Sequence, residues 1–458
     1  LSARDRRPTA TTPVAERGDD AFDGRESDAP DDRDGDATSS PPTTAADKPS
    51  PAVAPDMYGV VLAAGRGTRM RPLTDRRPKP LLPVGDRSLL ERVFDTARDV
   101  VDEFVVVTGY RGDAIRDGVG ESYRDRPVHY VEQAEALGTA HAVAQAEPVV
   151  DDDFLVLNGD VVVDASLPRA LAEAGAPAIA ATEVPDPRAY GVLSTAEDGS
   201  LADIVEKPAD PPTSLANVGC YAFEPEVFEY IDRTPESERG EYEITTTIDL
   251  LLGDGRRIDV APYDGTWLDV GRPWELLEAN ELALADLDDG TEISGTVEEG
   301  VHLRGPVVVE EGARVRSGAY VEGPALIREG ADVGPNAYVR GATVVGPDAH
   351  VGHSVEVKNS VLMADASVGH LSYVGDSVLG RGVNFGAGTN VANLRHDDEN
   401  VRQTVKGDRV DTGRRKLGAI VGDGAKTGIN TSLNAGVVLG AGETTGPGEA
   451  LTRDRLSE

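Results

Sequence analysis

The chain has a single cysteine, Cys220, set in the apolar run "VGCYAF". One thiol excludes an intrachain disulfide framework and a thiolate zinc site, and it suits a reducing compartment. Aromatic residues are scarce, at 5%, so part of the fold is expected to rest on small β-branched side chains. No stretch is long and apolar enough to span a bilayer, and the first residues lack the apolar core of a signal peptide. The expectation is a cytoplasmic protein with no membrane partner. Positive charge is also in short supply, with 45 basic against 81 acidic residues and a net charge of −36. That argues against nucleic acid or an anionic membrane as a general partner. Such a surface stays soluble in concentrated salt, where its self-repulsion is screened; a salt-loving host is expected. Lysine is the scarcest charge of all. Only Lys48, Lys79, Lys207, Lys358, Lys406, Lys416 and Lys426 survive among the arginines. An ammonium is compact and strongly hydrated where a guanidinium is flat and forked, so each surviving lysine is a candidate functional group.

The 458 residues suffice for two or three domains. Residues 1–56, centred on "DAPDDRDGDATSSPPTT", show no hydrophobic periodicity and read as a disordered acidic tail. Over 57–272, apolar runs such as "YGVVLAA", "EFVVVTGY" and "FLVLNGD" alternate with helical stretches such as "SLLERVFDTARDV". That alternation predicts a Rossmann-like α/β domain on a mostly parallel sheet. A connector helix over 273–292 opens on Pro273 with acids in its first turn. From Val297 every sixth residue is aliphatic or Met: Leu303, Val309, Val315, Val321, Ile327, Val333, Val339, Val345, Val351, Val357 and Met363. Hexapeptide periodicity of this length predicts a parallel β-helix over 293–445, three hexads to a coil. The phase slips near Met363, a loop protrudes at "NLRHDDENVRQTVKGDRVDTGRRK", and a tail follows over 446–458.

The densest cationic stretch is "LAAGRGTRMRPLTDRRPKPLLPV", directly after the first apolar run. Glycine-rich turns after a strand can aim backbone N–H groups at phosphate. The Walker pattern is absent, and Met70 stands where a dinucleotide fingerprint requires glycine. Instead Arg69 and Lys79 flank a loop stiffened by Pro72 and Pro78. Two cations on a stiff loop suit a triphosphate tail. Arg66 lies inside the turn; Arg71, Arg76 and Arg77 are expected to be solvated.

This stretch closely resembles the signature of the sugar-1-phosphate nucleotidylyltransferases, and further matches follow in the family's order across 57–286. The resemblance implies that Leu62, Ala64, Gly65, Gly67 and Thr68 bind the nucleotide. In "YVEQAEALGTAHAV" it implies that Gln133, Gly138 and Thr139 meet it too. Asp160 in "LVLNGD" and Asp269 in "GTWLDVG" are implied as Mg²⁺ ligands. Gly191, Glu206, Lys207, Asn217 and Gly219 are implied around the sugar phosphate, and Arg69 and Lys79 as the catalytic cations. The reaction would join a sugar-1-phosphate to a nucleoside triphosphate with loss of pyrophosphate, a matter of positioning and charge neutralisation.

The solenoid sequence resembles the acetyltransferase half of the bifunctional enzymes, bacterial and archaeal, that make UDP-N-acetylglucosamine. "VEVKN" carries Lys358, "GHLSYVGD" carries His370 and Tyr373, and "VNFGAGTNVANL" carries Asn384 and Asn393. Arg340 precedes Lys358 by three hexads, so the two cations should stack one coil apart, about 5 Å. The resemblance implies a left-handed coil and a homotrimer. It also implies acetyl-CoA as co-substrate, His370 as general base, and Arg340, Lys358, Tyr373, Asn384 and Asn393 around the sugar phosphate. Lys416 is a candidate contact for coenzyme A or sugar phosphate. Asn393 is followed by "LRH", which fits the archaeal version and leaves the amino sugar open between glucosamine and galactosamine. His302, His350, His353 and His396 lack partners at metal spacing and read as surface residues. Two alternatives remain: a monofunctional glucose-1-phosphate uridylyl- or thymidylyltransferase with a structural solenoid, and a non-catalytic regulatory subunit. His370 with Lys358 argues against the first; Arg69, Lys79, Asp160 and Asp269 argue against the second.

Overall fold

A computed structural model describes residues 57–287 and 290–456; the expected tail over 1–56 lies outside the described residues. The apolar run Tyr58–Leu62 is an interior strand of a ten-stranded sheet. It pairs in parallel with Glu103–Thr108 on one side and Phe154–Asn158 on the other. Arg126–Glu132 extends the parallel set. Val60, Val61, Val105, Val106, Leu155 and Val156 are all fully buried. Both faces are covered, which is why these strands read as continuous apolar runs rather than alternating ones. Beyond Phe154–Asn158 the sheet continues through antiparallel strands, Leu215–Phe223, Gly191–Thr195 and Leu201–Glu206. Parallel strands end at one edge of the sheet, and the loops leaving it there form a crevice. The arginine-rich loop follows Leu62 at this edge, and Gly159 and Asp160 follow Asn158.

Asp269 reaches the same place from elsewhere. It ends the short strand Trp267–Asp269, which pairs antiparallel with Val161–Val163 so that Asp269 faces Val161. The helix Pro273–Ala285 starts four residues on, with Pro273 in its first turn. Glu275 accepts the Gly271 N–H at 2.8 Å, tying the helix start to the strand end.

From Thr291 to Leu451 the chain forms a left-handed parallel β-helix, its three sheets holding eight, seven and eight strands. Equivalent residues stack at a spacing of three hexads, as in Val309↔Ile327↔Val345. Their aliphatic side chains fill one continuous core. The ladder extends past residue 445, because Ala450–Leu451 pairs with Ser432–Leu433. The phase slip has a definite cause. Val345 stacks on Leu362, one residue early, so Leu362 takes the inward place expected of Met363. Met363 instead packs outward in a cluster with Met70, Leu73, Trp274 and Leu277. That cluster joins one outer sheet face to the connector helix and the arginine-rich loop.

The same interface corrects the reading of Arg77 as solvated. Its guanidinium donates to Asp423 Oδ2 at 3.1 Å and touches Met363 Sδ at 3.5 Å, with its side chain 19% exposed. Arg76 lies against the solenoid corners at Gly424 and Gly442. Arg71 is exposed and pairs with Asp75. Arg328 donates across the junction to the Gly85 carbonyl at 3.2 Å. No helix among the described residues is long and apolar enough to cross a membrane.

Removing the Arg77 guanidinium leaves Asp423, 10% exposed, without its counter-charge. Arg77→Ala should therefore lower stability by about 1–3 kcal/mol. Urea denaturation at fixed salt checks this; an unchanged midpoint would mean that the ion pair does not hold the junction.

Candidate active site

A cleft of about 350 Å³ opens at the carboxyl edge of the parallel strands. Asp160 and Asp269 line it, and behind them Lys79 is almost fully enclosed, at 6% exposure. Its Nζ donates to Asp160 Oδ2 at 2.5 Å and lies 3.8 Å from Asp269 Oδ1. A buried ammonium without such partners would be strongly destabilising. Gly67 makes the approach feasible. It sits in the left-handed region at φ 57°, and a Cβ there would lie 2.9 Å from Lys79 Cβ. The Gly67 carbonyl accepts from Thr74 Oγ1 and from the Met70 N–H, which closes the turn that begins at Thr68. Arg69 lines the same cleft, its guanidinium next to Gly271. The Asp269 carboxyl is held above the usual range. Burial at the cleft is the largest cause, the neighbouring Asp160 adds to it, and Lys79, Arg69 and Arg272 oppose it.

Gln133 is buried beside this region and donates from Nε2 to the Gly138 carbonyl at 3.0 Å. Gly138 itself adopts φ 116°, and a Cβ there would collide with the Tyr242 carbonyl oxygen. Thr139 opens a short helix, lines the cleft and accepts the Ile244 N–H at 3.0 Å. Leu62 also lines the cleft, whereas Gly65 faces open space. The Ala64 carbonyl accepts the Tyr110 N–H.

At the other end Gly191, Glu206, Lys207, Asn217 and Gly219 line the wall. Asn217 is held on both sides, donating to Tyr221 Oη and accepting the Gly219 N–H, each at 2.8 Å. Lys207 has φ 47° and pairs with Glu206 at 2.9 Å. Arg239 joins this group, bridging Glu206 at 3.3 Å and Glu243 at 2.5 Å. It lies on the segment between two helices, with no motif in its own neighbourhood to mark it.

A second polar cluster lies on the solenoid. Arg340 and Lys358 are ladder partners, as the three-hexad spacing requires. Arg340 pairs with Glu356 at 2.8 Å. Lys358 donates to both oxygens of Asp376, at 3.0 and 2.8 Å. Asp376 is only 3% exposed and also accepts from Asn359 at 3.0 Å and Asn393 at 2.5 Å. Asn393 reaches Tyr373 Oη at 3.1 Å. The ring of Tyr373 can lie across the strand because residue 375 is glycine; a Cβ there would collide with its hydroxyl. Burial, then Asp376, pushes the Tyr373 phenol up. Asn359 donates on to Glu281 of the connector helix at 2.8 Å, and Arg414 pairs with the same carboxylate. Asp376, Glu281 and Arg414 were missed in the sequence; the one available signal was the Asp closing "GHLSYVGD".

His370 is exposed at the neighbouring corner. Its Nδ1 accepts the His353 N–H at 3.2 Å. The cluster around Asp376 does not extend to His370 or to Asn384, which is exposed in the ladder between Ser367 and Lys426. Lys416 is exposed and bridges to Leu394 through the backbone. Of the remaining histidines, His350 comes within 3.7 Å of Asp332. No group of three or more His, Cys, Asp or Glu residues among those described could hold a metal ion; Asp160 and Asp269 are a pair.

Comparison with known proteins matches the family described as nucleotidyl transferase over residues 58–286, and the GMPPB C-terminal domain over 321–439. The bifunctional protein GlmU of Methanocaldococcus jannaschii is 40% identical over 399 residues, 87% of this chain and 95% of that protein. A bifunctional sugar-1-phosphate nucleotidylyltransferase/acetyltransferase of Sulfurisphaera tokodaii is 38% identical, covering 87% of this chain and 98% of its own. The low-salt glycan biosynthesis nucleotidyltransferase Agl11 of Haloferax volcanii is 38% identical over 72% of this chain and 94% of its own.

The left-handed Gly138 generates a direct test. Gly138→Ala adds both strain and a clash with Tyr242 backbone. It should destabilise the protein by at least about 1 kcal/mol and displace the Gln133 amide. Thermal denaturation alongside nucleotide binding checks it; wild-type values for both would show that the turn is not constrained as described.

Proposed function

Because the chain belongs to the family of archaeal bifunctional sugar-1-phosphate nucleotidylyltransferase/acetyltransferases, we propose that it makes UDP-N-acetylglucosamine in two steps. The first transfers acetyl from acetyl-CoA to glucosamine-1-phosphate. The second transfers uridylyl from UTP to N-acetylglucosamine-1-phosphate. The observation that carries the second step is that Lys79 meets both Asp160 and Asp269, which line a cleft together with Arg69 and Lys207.

In uridylyl transfer a phosphate oxygen of the sugar attacks the α-phosphorus of UTP. The bond to the bridging oxygen breaks, and pyrophosphate leaves. Lys207 holds the incoming sugar phosphate, with Arg239 close by through the shared Glu206. Arg69 and Lys79 take up the charge that builds on the leaving pyrophosphate. Asp160 and Asp269 present hard carboxylate oxygens to the cleft and would hold Mg²⁺, an ion that takes oxygen ligands. The ion, when bound, neutralises phosphate charge. Gln133 and Gly138 face the base, while Asn217 and Gly191 frame the sugar.

For acetyl transfer, the amine of glucosamine-1-phosphate attacks the thioester carbonyl. Its proton goes to His370, the carbon–sulfur bond breaks, and coenzyme A leaves as the thiol after taking a proton. His370 gives up the 3.2 Å contact with the His353 N–H to expose the lone pair on Nδ1. Arg340 and Lys358 hold the sugar phosphate; Tyr373, Asn384 and Asn393 position the ring. A homotrimer around the solenoid and a cytoplasmic setting complete the reading. The similarity to the Haloferax volcanii nucleotidyltransferase favours testing other sugar-1-phosphates alongside.

Purified full-length protein at high salt should release pyrophosphate from UTP with N-acetylglucosamine-1-phosphate in preference to dTTP, CTP, GTP, or glucose- and N-acetylgalactosamine-1-phosphate. It should release free thiol from acetyl-CoA with glucosamine-1-phosphate. Asp160→Asn should lower only pyrophosphate release, by about 10²-fold or more, and His370→Ala only thiol release. Absence of thiol release with either glucosamine- or galactosamine-1-phosphate would remove the acetyltransferase half. Preference for glucose-1-phosphate would replace the sugar assignment.

A further inference from the structure

Arg340, Lys358 and Gly375 follow one another up a single sheet of the solenoid, and the chain turns a corner after each. The corner residues are Gly341, Asn359 and Asp376, all left-handed, with φ of 66°, 45° and 49°. Asn and Asp are the residues other than glycine that adopt this conformation most readily. Two successive corners can therefore carry side chains. They are stacked through the backbone as well: the Asn359 N–H donates to the Arg340 carbonyl at 2.9 Å, and the Asp376 N–H to the Lys358 carbonyl at 2.8 Å.

The corner side chains build a relay that leads away from Lys358. Its ammonium has three N–H donors. Both oxygens of Asp376 accept from it, which leaves one donor for a phosphate. Asp376 Oδ1 also accepts from Asn359 Nδ2 at 3.0 Å. The same Nδ2 donates to Glu281 Oε1 at 2.8 Å. Its two hydrogens are thus shared between two carboxylates, and neither the amide nor Asp376 can turn without losing a partner. Glu281 is held in turn by Arg414, whose side chain is 19% exposed. The relay has a cation at each end, two carboxylates within and one amide between them. An enclosed arrangement of this kind keeps its geometry, because removing any member strands a charge or a donor. Glu281 is the one member that the connector helix supplies.

Resting on the acetyltransferase reading, we propose that Glu281 is a positioning residue for acetyl transfer. It touches no substrate. It holds Asn359, Asn359 holds Asp376, and Asp376 sets where the Lys358 ammonium meets the sugar phosphate. A residue from the connector helix thereby sets the affinity of the solenoid for its amino-sugar phosphate.

The test is a double-mutant cycle of Glu281→Ala and Asn359→Gly in the full-length protein, with Arg414→Gln beside it. Glycine at 359 removes the amide and keeps the left-handed corner. Thiol release is followed while glucosamine-1-phosphate and acetyl-CoA are varied separately. Pyrophosphate release from UTP reports that each variant is folded. Glu281→Ala should raise the KM for glucosamine-1-phosphate about tenfold and leave the KM for acetyl-CoA unchanged. The double variant should be no worse than the worse single one, because one path carries both effects. Arg414→Gln should stay close to wild type, since Glu281 still holds Asn359. An unchanged KM for glucosamine-1-phosphate, losses that multiply in the double variant, or an equal rise in Arg414→Gln would overturn the proposal and leave the acetyltransferase reading in place. If Glu281→Ala loses pyrophosphate release as well, Asn359→Gly decides: a KM raised to the same extent supports the relay, and a wild-type KM overturns it. If the wild type releases no thiol with glucosamine-1-phosphate, the acetyltransferase reading fails first, and calorimetry with glucosamine-1-phosphate alone decides the relay. Binding weakened about tenfold in Glu281→Ala supports it; no binding, or equal binding by both proteins, overturns it.

Discussion

An ammonium shared between two carboxylates organises the amino-terminal half of this molecule. Lys79 can be enclosed only because Asp160 and Asp269 compensate its charge. Meeting that demand fixes three separate parts of the chain at one point. The arginine-rich loop must turn sharply at Gly67, the strand Phe154–Asn158 must end on Asp160, and the ribbon Trp267–Asp269 must pair with Val161–Val163. The same ion pairs offset the repulsion between the two carboxylates, which line the cleft together. In the proposed function, a bound cation with phosphates would relieve that repulsion in the same way.

The arginine-rich loop has a second task. Its far side rests on the solenoid through Arg77, Met70 and Leu73, and the connector helix rests there too. Through Glu281 that helix touches Asn359 and Arg414, and so the network around Asp376 and Lys358. Each polar cluster is therefore braced by an element that also belongs to the interface. The two lie on one packed body, with the connector helix contributing Glu275 near the first and Glu281 near the second.

Much of this was readable in the residues, and the gaps have physical reasons. The strand runs around Val60, Val105 and Val156 and the six-residue repeat from Val297 are dictated by burial, which composition records directly. Motif spacing brought Arg69, Asp160, Asp269, Lys207 and Asn217 to one cleft. The scarcity of lysine drew attention to Lys79, Lys207 and Lys358, each of which meets a carboxylate in a polar cluster. Lys406, by contrast, sits exposed at a hairpin turn. What escaped notice depends on contacts between distant segments. Arg77 looks like any surface arginine until Asp423, 346 positions away, is placed beside it. Met363 and Leu362 are equally apolar, and only the packed junction decides which of them points inward. Arg239 and Asp376 act through partners, so neither stands out alone.

The claim on which the rest stands is that Asp160 and Asp269 receive a metal–nucleotide complex that takes over the charge now carried by Lys79. Anomalous diffraction from crystals of the full chain with Mn²⁺ and UTP reads this directly. The account predicts one strong peak within about 2.0–2.2 Å of an oxygen from each carboxylate, with the Lys79 ammonium moved onto a phosphate oxygen. A metal bound elsewhere, or Lys79 still locked to Asp160 with nucleotide present, would contradict it.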